Sequence, residues 1–211
     1  MWSITSWRKR TRKSAGLALL LVAGVPCSPC WGLADTVAVE GLTQPVPRTI
    51  RVGTAADLQL YGTALLRVAM TLRVYVGLLY LPAEPEAMAA DDVARRLEIH
   101  YLVNVPLRRM VDAANESLRR TCTTEELRAL RARIERLHAA YADRVKGDVA
   151  ALTYVPGQGT TFSVNGADLV TIPGRDFAAA YFGVWLGPHA ASRSVRDSLL
   201  AGRARKGGAT P

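Results

Sequence analysis

The sequence predicts an α+β protein, a largely antiparallel sheet with a layer of helices over one face. Three observations point there. Strand-like segments, a pair of helices, three more strands and two further helices follow one another along the chain. Asn165-Gly166 lies between runs of apolar alternation, the strongest short hairpin signal a sequence offers, because both turn residues must take positive φ. Thr123 with Glu126 forms a capping box that opens a helix. At 211 residues, 49% hydrophobic and 21% charged, the chain can build one domain with a real core.

Residues 35–47 hold Gly41, Pro45 and Pro47 and read as an irregular arm. Thr49–Val52 and Leu58–Tyr61 are short strand-like pieces. The segment GTALLRVAMTLRVYVGLLYL, Gly62–Leu81, is mostly apolar and reads as buried strand, with one long strand over about Ala69–Leu81. Pro82 and Pro85 stop it. Glu86–Arg95 predicts a short helix. Leu97, Ile99, Tyr101 and Val103 alternate at period two, as a half-buried strand does.

Pro106 suits the start of a helix. Leu107, Met110, Val111, Ala114 and Leu118 then recur at helical spacing. The helix opened by Thr123 carries many Arg and Glu residues, which read as a solvated face. Gly147 returns the chain to strand, and three strands run to Pro173. Gly174–Leu186 is a helix with Phe177, Tyr181, Val184 and Trp185 on its apolar stripe. Ala191–Ala201 is the last helix, and residues 202–211 form a basic tail expected to be disordered.

Residues 1–34 read as a secretory signal: a basic stretch, SWRKRTRK, then an apolar stretch of about eleven residues, AGLALLLVAGV, with small residues before Asp35. An uncleaved anchor is the alternative. The segment is too short to span a bilayer, which takes about 20 apolar residues. No later run spans either, since Arg67 and Arg73 interrupt the best candidate. The folded domain, residues 35–201, is therefore expected outside the inner membrane, in the periplasm. Formal net charge is +9, but five cations precede residue 35 and Arg203, Arg205 and Lys206 lie in the tail. The body is close to neutral, without the basic patch a nucleic-acid binder keeps on its fold. Cys27 and Cys30 fall inside the signal, leaving Cys122 as the one thiol of the processed chain. His100, His138 and His189 have no second ligand at metal spacing, and no nucleophile or phosphate-loop motif is present, so neither metal nor cofactor is expected.

Two blocks, GTALLR with RVYVGLLYLP (Gly62–Arg67 and Arg73–Pro82) and GDVAALTYVPGQGTTFSVNGADLVTIPGRDFAAAYFGVWLG (Gly147–Gly187), resemble the chalcone isomerase superfamily in its secreted, bacterial, chalcone-isomerase-like branch. The resemblance covers about residues 45–201. It implies an open-faced sheet-and-helix sandwich with a ligand cleft between the layers. In the isomerases of the family an arginine polarises an enone while a ring closes. In a second branch without catalysis, the arginine and a tyrosine hold a fatty-acid carboxylate. The arginine falls on Arg67 and the strand hydroxyl on Tyr75, the fatty-acid-binding choice. The helix asparagine falls on Asn115. Arg108 stands where the isomerases have tyrosine, and Val184 near their late threonine. The resemblance thus implies a non-catalytic protein that binds a small amphipathic carboxylate such as a fatty acid. An isomerase or intramolecular lyase acting on an enone, with Arg67 as electrophile, is one alternative. A structural or partner-binding envelope protein with a filled cleft is another.

Physical chemistry frames the candidate ligand residues Arg67, Tyr75, Arg73 and Asn115. Arginine keeps its charge, so an arginine in an apolar strand meets an acid, faces water, or lines a cleft that receives an anion. Asp57 and Glu98 are the expected acids if Arg67 is structural. Arg67 and Tyr75 lie eight residues apart, about 26 Å in a straight strand. They share a ligand only if the chain bends near Leu66–Thr71. Arg73 is the local rival, two positions from Tyr75 on the same strand face. Tyr75 also suits a core position, and Asn115 a helix-packing one.

Overall fold

The structure, a computed structural model, describes residues 35–53, 56–83 and 92–202. Its centre is a seven-stranded antiparallel sheet in which each strand pairs with the next in the chain: β3 (Thr49–Val52), β4 (Ala56–Val68), β5 (Leu72–Pro82), β6 (Arg95–Tyr101), β7 (Val149–Val155), β8 (Gly159–Val164) and β9 (Ala167–Ile172). Between β6 and β7 come α1 (Leu107–Thr121) and α2 (Thr124–Ala139); α3 (Arg175–Leu186) and α4 (Arg193–Leu200) follow β9. The α+β class and the helical layer agree with the sequence. The arm is more regular than expected, since β1 (Thr36–Val37) and β2 (Val46–Pro47) pair as a small separate sheet.

The largest departure concerns Gly62–Leu81. It is a hairpin, not one strand. Its first half completes β4, Ala69 and Met70 turn the chain at φ 49° and 63°, and β5 returns. That turn normally takes Asn-Gly. A non-glycine residue in this region costs about 1 kcal/mol, and nothing in Ala-Met announces it. The chain does bend where a shared ligand required, and Leu66 comes to lie opposite Tyr75. The predicted helix at 86–95 falls mostly outside the described residues, but Arg95 opens β6 rather than ending a helix. The predicted secretory signal lies outside the described residues, as does all of the basic tail beyond Gly202.

Pleating divides the core. On β5, Val76, Leu78 and Tyr80 join Val46, Val52 and Leu58 beneath the N-terminal arm. Leu79 and Leu81 face the helices with Leu97, Ile99, Leu152, Phe177, Tyr181 and Leu199. The helices are fixed at their ends. The Thr123–Glu126 capping box forms in both directions. Arg133 of α2 grips Asp176 in the first turn of α3 through two bonds of 2.7 and 2.6 Å. α4 lies so close to β4 that a Cβ on Gly62 would stand 1.9 Å from the Leu199 carbonyl oxygen, so only glycine fits there.

Candidate functional site

Between the helix-side face of the sheet and the helices is a cavity of about 380 Å³. Its floor is Leu97, Ile99, Ala150, Leu152 and Phe162; its roof is Met110, Ala113 and Ala114 of α1 with Val184 and Trp185 of α3. Leu66, Val68, Val74 and Tyr75 of the hairpin close one side. Exposed wall residues Val68, Arg109, Ala113, Ala142 and Ala191 mark its mouth. Small-molecule sites have this size and apolar lining, with a few convergent polar groups.

Those polar groups are phenols and one buried cation. Tyr75 meets Tyr101 edge to face, centroids 6.4 Å apart. Burial pushes the Tyr75 hydroxyl up to about 12, with the Trp185 side chain opposing part of the rise. Burial also raises Tyr101, whose hydroxyl donates to Met110 Sδ at 3.1 Å. Tyr141 and Tyr181 share a 2.7 Å hydrogen bond, and His138 Nε2 lies 3.1 Å from the Tyr181 hydroxyl. Burial holds both phenols well above the ordinary value and His138 below its own. All four tyrosines are therefore neutral at physiological pH.

The cation is Arg144, 8% exposed, in the connection from α2 to β7. A bridge between Val105 and Arg144 holds that connection to the start of α1. Nε donates to the Ala142 carbonyl at 3.0 Å. Nη1 stands 3.7 Å from Asp148 Oδ2, longer than a hydrogen bond. Asp148 is already engaged, accepting from the Val145 amide and the Asn165 side chain. Among the described residues, neither amino group of Arg144 makes a hydrogen bond. Arg144 is among the residues that line the apolar cavity, and a guanidinium can meet a carboxylate as a two-pronged donor.

Of the candidates from the sequence, the structure brings only Tyr75 to the cavity wall. Arg67 lies between the wall residues Leu66 and Val68, so pleating carries its side chain away. It is 43% exposed and pairs with Glu40 at 2.6 Å. The acids expected for it are used elsewhere: Asp57 by Arg51, Glu98 by Arg96 and His100. Arg73 is exposed opposite Arg67 near the hairpin tip, and Asn115 is half-buried on α1 without reaching the cavity. Sequence reasoning missed Arg144 because a loop buries it, and loops have no periodicity to read. It missed His138 because the helix around it is charged, although Tyr181 already stood on an apolar stripe. Among the described residues no group of His, Cys, Asp and Glu could hold a metal ion.

An antiparallel sheet and helices on one face, with a phenol-lined apolar cavity between them, define an open-faced sandwich. The chain belongs to the chalcone isomerase-like family, whose profile matches residues 37–201. Among solved structures, a fatty-acid-binding protein of Arabidopsis thaliana superposes with a TM-score of 0.57 at 13% identity, over 79% of this chain and 96% of that one. At that identity the likeness is one of fold. No curated protein matches the sequence.

Proposed function

We propose that the protein binds a small amphipathic carboxylate, a fatty acid, without transforming it, and does so in the periplasm after its N-terminal 34 residues are removed. The observation that carries the reading is Arg144, a buried guanidinium at the wall of an apolar cavity, which has only a loose 3.7 Å ion pair with Asp148 and no hydrogen bond from either amino group. The carboxylate takes the guanidinium fork, and neutral Tyr75 can add a bond. The tail lies among Leu97, Ile99, Leu152 and Phe162, where each buried methylene contributes about 0.8 kcal/mol. The match to a plant fatty-acid-binding protein supports the same reading.

Calorimetry with dodecanoate tests it. Arg144→Gln should weaken binding about tenfold or more, because a hydrogen bond to a charged group contributes about 1.5–3 kcal/mol. Unchanged affinity removes Arg144 from the site. Absence of any binding, together with no acyl lipid on extraction of the purified protein, removes the reading itself. Edman sequencing of protein recovered from the periplasm should begin at Asp35.

A further inference from the structure

The β4–β5 hairpin ends in Val68-Ala69-Met70-Thr71-Leu72, and its large side chains are uncovered: Val68 49% exposed, Met70 90%, Leu72 50%. Five large hydrophobic residues are exposed among the described residues, and these are three of them. A fourth, Val145, lies on the α2–β7 connection at the same end of the sheet. The tip is ringed by cations. Arg67 and Arg73 stand directly across the two strands, a repulsive arrangement in isolation. Only Arg67 has an acid, Glu40, itself well exposed. Arg73 and Arg109 make no ion pair among the described residues. The tip is also continuous with the cavity, since Val68 and Arg109 belong to its mouth. An apolar point on a strained turn, backed by arginines, fits a surface that is negative outside and oily beneath.

We propose that this hairpin docks the protein on an anionic lipid bilayer. Val68, Met70 and Leu72 enter the interfacial layer, and Arg67, Arg73 and Arg109 rest on the headgroups. The cavity mouth then faces the leaflet. Resting on the fatty-acid reading above, this lets a carboxylate pass between bilayer and cavity without crossing water.

The test is the emission of the full-length Met70→Trp chain minus that of the wild type, titrated with phosphatidylcholine or mixed phosphatidylcholine–phosphatidylglycerol vesicles. The difference reports position 70 alone, whatever other segment touches lipid, and at 90% exposure the substitution leaves the fold intact. A blue shift is expected on the anionic vesicles and not on the neutral ones. Adding Arg73→Gln should raise the lipid concentration at half-shift about fivefold. Emission unchanged by vesicles, an equal shift on both lipids, or no effect of Arg73→Gln overturns the proposal. So does shielding of position 70 by periplasmic extract but not by vesicles, which would assign the tip to a protein. A chain that binds dodecanoate in solution yet keeps position 70 in water loses only the docking. One that docks yet binds no dodecanoate loses only the cavity reading.

Discussion

The two faces of β6 treat charge in opposite ways. Beneath the arm, Glu98 sits between Arg96 at 2.7 Å and His100 at 3.2 Å, and Arg96 also donates to Thr153 at 2.7 Å. Among the described residues, Arg96 and Glu98 answer each other at close range. On the helix side, Tyr101 of the same strand lies beside Arg144, which lines the cavity and meets Asp148 only at 3.7 Å. Similar burial therefore carries opposite meanings. A closely matched charge in a filled layer reads as structural, whereas a loosely paired one lining a cavity is what the proposed function rests on.

The sharpest test of the two-face division uses consecutive residues. Leu78 and Leu79 are both fully buried, one under the arm and the other under the helices. Leu78→Ala and Leu79→Ala should each cost about 3 kcal/mol in denaturant unfolding; a clear inequality would show that one layer carries the fold. Next comes the closed face. Glu98→Gln should cost about 2 kcal/mol, because Arg96 is left partly buried without its acid. Burial alone would raise Glu98, but the bonds from His100 and Arg96 outweigh it and hold the carboxyl below its usual range. The sign follows: the wild type keeps this stability above about pH 4.3 and loses it as pH falls through the depressed value, and the variant lacks that loss.

A smaller effect sits on the cavity side. Burial lowers His138, so the fold favours its neutral form. Stability should fall as pH drops below about 6.5, where the unfolded chain takes up the proton first. His138→Leu should remove that slope while costing about 1 kcal/mol at pH 8 for the bond to Tyr181. Smallest is Arg67→Gln. An exposed pair with Glu40 predicts a change within about 0.5 kcal/mol and unchanged dodecanoate affinity in solution. A large loss of that affinity would move the anion site back to the hairpin.

What the sequence makes legible is what local chemistry encodes. The Asn165-Gly166 turn has positive φ at both residues, the Thr123 box closes, and Leu97, Ile99 and Tyr101 are buried in alternation. The turn at Ala69-Met70 escapes because its residues resist the conformation they adopt. The partner of Arg67 escapes because Glu40 is brought to it by the tertiary course of the arm. The cavity's cation escapes for a related reason. Arg144 looks like one more charge after a charged helix, and only the bridge to Val105 and the packing of the loop take it out of water.

Since each strand of the main sheet hydrogen-bonds to its immediate predecessor in sequence, assembly needs only short closures, with one exception. Between Tyr101 and Val149 the chain must complete two helices before β7 can meet β6. Closure entropy rises with the length of such an excursion, and non-local pairing slows folding. The rate-limiting event should be that single junction. It is also the junction that sets Arg144 in place, so the slow step of folding and the completion of the cavity wall coincide.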